Sequence, residues 1–383
     1  MYVKKGCVCY DSNSFLSDAQ AEELAITYLQ KSDDSFLTQD ILDSNAVPRL
    51  RGFKVKSGKV SDSIFGGNGS YFDKEKNEES FFVNPPLVTK RGIPLRLMIR
   101  SSKISTHDIV RGYIPFKDQV LAINHEHMHN LLKDVLGTSQ FETFLPDTSV
   151  VIAAENLQTI PLEMVLREYV AKTSTKTSVY HSYFEKNERS FAGHVLPNDL
   201  IPNGKLPYVM DTPSTKSDLH DETIDREYIF AHNVCTPSQY MQILHQSLVA
   251  FGMIRKELQE HNVILVDVKT EHGINHEGKI KVQDEFYTID SARFWVSDDY
   301  EKQLFSFLCH EISEINPIQL SKEFARTYST DNLPYSEETC VKIAVRYIKS
   351  MQTILGKPFV PDIRSREERV VTDLKKIVDL LAP

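Results

Sequence analysis

Hydrophobic and polar positions along the chain change their period several times, and each change predicts a different kind of element. Leu24, Ile26, Tyr28 and Leu29 recur at helical spacing within residues 18–31, before a Ser/Asp-rich stretch, which predicts an appended helix. From about 51 to 115, short β-rich runs such as Phe53–Val55, Ser80–Val83 and Leu95–Ile99 are separated by turn signals, among them Gly66–Gly69, and predict an antiparallel sheet. Residues 119–136 read as a helix, 149–170 as further strand, 237–260 as a helix and 263–294 as a second β region. Amphipathic patterns over 301–312, 319–327, 336–355 and 366–382 predict a helical tail, broken between its last two members by Pro358 and Pro361. The class is therefore α+β. The expected organisation is an N-terminal extension over 1–50, an antiparallel α+β domain over 51–158, a central domain over 159–300 and a helical region over 301–383.

Composition narrows the function classes. With 41% hydrophobic and 25% charged residues, the 383-residue chain is of globular type and long enough for two or three domains. Its 53 acidic against 44 basic side chains, a formal net charge of -9, argue against non-specific binding to nucleic acid or an anionic membrane. No apolar run approaches the roughly 18 residues of a membrane span. After Lys4 and Lys5, the stretch Gly6–Tyr10 is too short for the apolar region of a signal peptide, so a cytoplasmic protein is expected. Five cysteines, Cys7, Cys9, Cys235, Cys309 and Cys340, are odd in number and sparse, as in reduced proteins. Cys7-x-Cys9 lacks the second close Cys/His pair that a four-ligand zinc site needs.

The stretch from Val263 to Gly273 carries the candidate chemistry. Strict alternation points Val263, Leu265, Asp267, Lys269 and Glu271 one way and Ile264, Val266, Val268 and Thr270 the other. A turn through Gly273–Gly278 would return the chain as Lys279–Phe286 and set Asp284 or Glu285 beside Glu271. Paired carboxylates with open positions suit Mg²⁺ and nucleotide phosphates, and a lysine suits phosphate charge. A solvated hairpin face is the plainer reading of the same pattern. Beyond the hairpin, Asp290 and Arg293 frame Ser291, Phe294 and Trp295 supply aromatic area to anchor the loop, and Arg293 can fork onto phosphate or carboxylate.

These residues carry a resemblance. Asp267-x-Lys269-x-Glu271-x-Gly273, then Asp284-Glu285 and Asp290-Ser291-x-Arg293-Phe294-Trp295, resemble the C-terminal signature of the SAICAR synthetases, the phosphoribosylaminoimidazole-succinocarboxamide synthases of purine biosynthesis. Six further segments resemble that family in the family's order: Ser57–Asp62, Lys103–Asp108, Pro115–Leu121, Pro161–Tyr169, Thr212–Glu222 and Ser321–Arg326. The resemblance covers about residues 51 to 360.

It implies two β-rich domains enclosing an ATP cleft, with the helical tail completing the substrate site. It also implies a ligase that joins L-aspartate to the carboxylate of carboxyaminoimidazole ribotide while ATP is split to ADP and phosphate. A carboxylate and an ammonium form no amide without activation, which ATP supplies as an acyl phosphate. By resemblance, Glu271 and Asp284 are the Mg²⁺ ligands and Lys269 faces the transferring phosphoryl group. Asp267 either orients the ribotide or takes the aspartate ammonium proton, and Asp290 is a further catalytic candidate. Arg167 and Arg293, with Thr173, address the ribotide 5′-phosphate. Gly58, Lys59, Gln158 and Ile160 address ATP, while Ser105, Asp108, Lys216, Asp221, Lys322 and Arg326 address substrate. Nucleic acid and membrane are not expected partners, and the family's varied oligomers leave a homo-oligomer open.

Ser61, Lys172, Thr173, His107, His272 and Ile289 depart from the family's usual residues, without removing a proposed metal ligand or phosphate arginine. Two rivals remain. The departures at Ser61 and Thr173 would suit a re-purposed or non-catalytic nucleotide-binding relative. His125-Glu126-x-x-His129 matches the zinc-protease pattern, with Glu126 as general base, although Leu132 stands where the extended form requires glycine.

Overall fold

A computed structural model describes residues 14–32, 38–58, 61–73, 78–106, 109–216, 222–328 and 333–381. The chain divides into two compact units, one of residues 1–126, 139–157 and 324–383, the other of 127–138 and 158–323.

The first unit opens with α1 (Asp18–Leu29), started by a capping box in which Ser17 and Gln20 satisfy each other's backbone N–H groups. After α2 (Thr38–Asp43) come β1 (Lys56–Ser57) and β2 (Ser61–Phe65), then the hairpin β3 (Gly67–Asp73) and β4 (Glu78–Asn84). β5 (Leu95–Arg100) is followed by a second hairpin, β6 (Lys103–Thr106) and β7 (Ile109–Tyr113). Then come α3 (Lys117–Leu136), within which the division falls, and β8 (Val151–Glu155). Strands β1, β2, β5 and β8 form one antiparallel sheet in that order. Its core is Leu95, Leu97, Ile99, Val151 and Ala153 packed with Ile41, Leu42 and Leu50 from the N-terminal stretch.

The second unit is built on two twelve-residue strands, β9 (Gln158–Tyr169) and β14 (Val263–Ile274), paired antiparallel. The small hairpin β10 (Ser190–Phe191) and β11 (His194–Val195) precedes β12 (Lys205–Asp211) and β13 (Ser214–Thr215), which share the outer edge of β9. β15 (Ile280–Gln283) and β16 (Ala292–Val296) likewise share the outer edge of β14. Between these groups lie α4 (Arg226–Ala231) and α5 (Pro237–Glu260), the latter with Pro237 in its first turn and a Thr236/Gln239 capping box. α5 packs on β9 and β14 and buries Ile243, Leu244, Phe251, Ile254 and Leu258. α6 (Ser297–Leu308) follows β16. The chain then returns to the first unit, where α7 (Glu337–Leu355) packs on α1 and α8 (Arg366–Ile377) adds Val370, Leu374 and Ile377 to the core. Among the described residues no helix is long and apolar enough to cross a membrane.

One expectation is corrected by the register. Ile264 pairs with Trp295, Leu265 with Phe294 and Asp267 with Arg293, so β14 carries one more residue than β16 between Leu265 and Asp267. Directly paired residues share a face, and so do Arg293 and Trp295, two apart. Ile264 therefore lies on the face of Asp267, Lys269 and Glu271, whereas Val263 and Leu265 lie on the other. The β-bulge switches the alternation between the apolar first half of the strand and its charged second half.

Candidate functional site

Along one face of the second sheet the side chains grade from aromatic to ionic. At the aromatic end Tyr169, Trp295 and Tyr300 pack with ring centroids 5.3, 5.4 and 5.5 Å apart, and Trp295 Nε1 donates to Gln319 Oε1 at 3.0 Å. Two residues further along each strand, about 7 Å, the face becomes ionic. Asp267 Oδ2 lies 2.7 Å from Arg167 Nη1 and 3.2 Å from Arg293 Nη1, so one buried carboxylate lies between guanidinium groups from both neighbouring strands. Burial pushes the Arg167 guanidinium down from its ordinary value, partly countered by Asp267. For Arg293 burial acts the same way but is outweighed by Asp267 and by Glu323, whose Oε1 lies 4.0 Å from Nε. Arg167 Nε also donates to Thr212 Oγ1 at 2.9 Å, which fixes the plane of its fork.

The next pair of positions holds a lysine-carboxylate group. Lys269 Nζ donates to Glu163 Oε1 at 2.5 Å and lies 3.4 Å from Glu271 Oε1, and Lys216 ion-pairs with Glu271. Ser214 Oγ donates to the other oxygen of Glu163 at 3.0 Å. Burial alone would raise the pKa of Glu271. The ammonium groups of Lys216 and Lys269 overcome that and hold it at about 2, and Asp284 stands within hydrogen-bonding reach. Asp284 follows β15 with φ 56, a left-handed turn that aspartate tolerates and that brings its carboxyl back toward Glu271. Glu271 is ionised, and two neighbouring carboxylates leave positions for water and phosphate oxygens, a donor set that fits Mg²⁺.

The second unit thus brings together Arg167, Asp267, Arg293, Lys269, Glu271, Asp284 and Lys216. Gln158 and Ile160 stand at the start of β9, the first exposed and the second buried. Thr173 lies beyond the end of β9 and accepts from the Thr175 backbone N–H at 3.2 Å. Asp290 is half-buried in the turn before β16, and the Lys322 backbone N–H donates to Ile289 O at 3.2 Å in the same region. Gly58, Ser105 and Arg326 belong to the first unit, while Lys59, Asp108 and Asp221 lie outside the described residues. In the zinc-protease pattern, His125 Nε2 is 2.9 Å from Gln140 Oε1, and no group of three metal-ligating side chains occurs among the described residues.

Sequence reasoning passed over Glu163, Thr212, Ser214 and Glu323. A signal for the first existed: Glu163 precedes Arg167 by four positions on one strand, an even spacing that puts both on one face.

The profile of the SAICAR synthetase family matches residues 93–340. The chain belongs to the SAICAR synthetase family. Phosphoribosylaminoimidazole-succinocarboxamide synthase of Legionella pneumophila strain Paris is 30% identical over 275 residues, covering 70% of this chain and 84% of that one. The enzyme of the same name from Bacteroides thetaiotaomicron is 30% identical over 298 residues, covering 73% and 90%. The fold agrees. A structure described as SAICAR-synthase from Saccharomyces cerevisiae complexed with SAICAR superposes with a TM-score of 0.60 at 18% identity, covering 81% of this chain and 97% of that one. A type-2 SAICAR synthetase in complex with ADP superposes at 0.53 and 18%, covering 80% and 100%. The chain has the α+β SAICAR synthetase fold, and its activity is that family's ligase reaction in purine biosynthesis.

Proposed function

We propose that the ionic face of the second unit is where this SAICAR synthetase activates the ribotide carboxylate and joins it to L-aspartate, with ATP as the phosphoryl donor and Mg²⁺ as the metal. One observation carries the reading. A pair of phosphate-matching arginine forks around Asp267 and a lysine-carboxylate group around Glu271 share one face, two to four residues apart along β14. Phosphoryl transfer needs little covalent help from protein and much charge neutralisation and alignment, and those are the properties of this face.

In this reading Glu271 and Asp284 hold Mg²⁺, which when bound neutralises phosphate charge. Lys269, restrained by Glu163, directs its ammonium group to the transferring phosphoryl. A ribotide carboxylate oxygen attacks the γ-phosphorus, the bond to ADP breaks, and an acyl phosphate results. The aspartate amine then attacks the acyl carbon and phosphate leaves. Before that attack the ammonium must lose a proton, and Asp267, held between two guanidinium groups, either takes it or orients the ribotide. Arg167 and Arg293, with Thr173, hold the ribotide 5′-phosphate. Lys59, Gly58, Gln158 and Ile160 serve ATP, while Ser105, Asp108, Lys216, Asp221, Lys322 and Arg326 serve substrate. The sparse cysteine set fits a cytoplasmic setting.

Purified protein incubated with ATP, Mg²⁺, L-aspartate and carboxyaminoimidazole ribotide is expected to release ADP in an aspartate-dependent manner and to form the succinocarboxamide. Absence of both sinks the proposal.

A further inference from the structure

Behind the ionic face, on the side of the sheet covered by α5, a single carboxylate ties together four elements. Asp211, the last residue of β12, is buried and pairs with Leu166, whose neighbour Arg167 belongs to the ionic face. Arg226 at the start of α4 grips it bidentately, with Nη2 3.0 and 2.9 Å from the two oxygens and Nε 3.1 Å from Oδ2. The Tyr240 hydroxyl of α5 donates to Oδ2, and His194 Nε2 of β11 lies 3.2 Å from Oδ1 and 2.8 Å from the Asp211 carbonyl oxygen. Burial and Asp211 both push the Tyr240 phenol up, which keeps it a donor.

The next three residues pass to the site. The Thr212 backbone N–H donates to Val165 O at 2.8 Å, its hydroxyl accepts from Arg167 Nε at 2.9 Å, and Ser214 donates to Glu163 at 3.0 Å. Arg167 and Glu163 in turn meet Asp267 and Lys269.

We propose that Asp211 is a positioning residue of the ligation site, fixing from the far face of the sheet the two hydroxyls that orient Arg167 and Glu163. It touches no substrate and acts through Thr212 and Ser214. The kinetic part rests on the ligase reading above, whereas the anchoring part does not.

The test uses Asp211→Asn, which keeps the shape and removes the charge, and Tyr240→Phe, which removes one donor and keeps the aspartate. Hydrogen-deuterium exchange of the full-length protein without ligands is expected to quicken at residues 212–216 in both variants and to stay unchanged over 263–274. In steady-state assays Asp211→Asn is expected to raise the KM for the ribotide by about tenfold while the KM for ATP stays within about twofold, since a small misplacement of a binding fork has effects of that order. Thr212→Val is expected to reproduce the ribotide effect and Thr212→Ser to restore it. The Asp211→Asn/Thr212→Val double variant should be no worse than the poorer single one, because both act on one contact. Unchanged exchange at 212–216, an unchanged ribotide KM, or multiplying effects in the double variant would each overturn the proposal. If Asp211→Asn does not fold, Tyr240→Phe decides by the same exchange and KM measurements. If the wild-type protein shows no aspartate-dependent ADP release, the ligase reading falls, and the exchange result alone upholds or overturns the anchoring by Asp211.

Discussion

The two faces of the β9–β14 sheet are made of the same strands and differ in almost every side chain. On the α5 face, Met164, Leu166, Leu265 and Val268 are fully buried and apolar. On the other, Glu163, Arg167, Asp267, Lys269 and Glu271 meet in ion pairs, some of them buried. Burial of the first set stabilises the fold by about 1.5–3 kcal/mol per side chain. The second set gains little net stability, since the cost of removing charges from water offsets most of their attraction. Apart from the anchor at Asp211, stability and chemistry are thus separated by the pleat itself, and substitutions at neighbouring strand positions such as Leu166 and Arg167 should affect one without the other.

The largest expected effect is on the ionic face. Asp267→Asn or Lys269→Ala should lower turnover by about 10³-fold, the scale of losing a charge matched to a transition state, with the far-ultraviolet circular dichroism retained. Wild-type rates in either variant would break the assignment of that face. Leu166→Ala, one residue from Arg167 but under α5, should cost about 2–5 kcal/mol of unfolding free energy in urea titrations while the folded fraction keeps its turnover number. A loss of turnover matching that of Asp267→Asn would show that the faces are not independent.

Glu271 and His272 sharpen the comparison, being adjacent and on opposite faces. Glu271 stays ionised in the fold down to about pH 2, whereas its unfolded counterpart takes up a proton near 4.5. Its stabilising contribution is whole above pH 4.5 and is lost as pH falls toward 2. Burial pushes His272 down from 6.5 to about 4, against a smaller opposing pull from Glu271, so the unfolded chain binds a proton that the fold refuses and stability falls as pH drops from 6.5 to 4. In denaturation series across pH, His272→Phe is expected to flatten the upper window and Glu271→Gln the lower. The reverse assignment would refute the placement of the two side chains. The smallest effect is spectroscopic: Trp295, buried and two residues from Arg293, should change its fluorescence on ribotide binding, and an indifferent signal would detach Arg293 from that ligand.

Much of the site was legible because it is local. The Asp267–Glu271 alternation, the hairpin return to Asp284 and the Asp290–Trp295 segment with Arg293 are short-range patterns, and the structure brings Asp267, Lys269, Glu271, Asp284 and Arg293 together, although Arg293 and Trp295 stand in β16 rather than in a loop. Less legible were features set by a partner strand. The bulge before Asp267 exists only relative to β16, so strict alternation assigned Val263 and Leu265 to the wrong face. The Asp211 anchor draws on His194, Arg226 and Tyr240, which no spacing rule connects. Long helices were read closely, as at Pro237–Glu260, because their period runs over many turns, whereas 319–327 forms only a 3₁₀ stretch, Lys322–Tyr328.

The bulge in β14 leaves a mark on how the protein tolerates change. In an unbroken strand, acceptance of charged residues rises and falls with every second position. Here the rhythm slips by one step between Leu265 and Asp267, so a scan of all substitutions along Val263–Ile274 would show two patterns out of phase, like a line of verse with an extra syllable. Deleting Val266, the extra residue, would make the alternation continuous and leave the acids and the lysine of the second half on the face they already occupy.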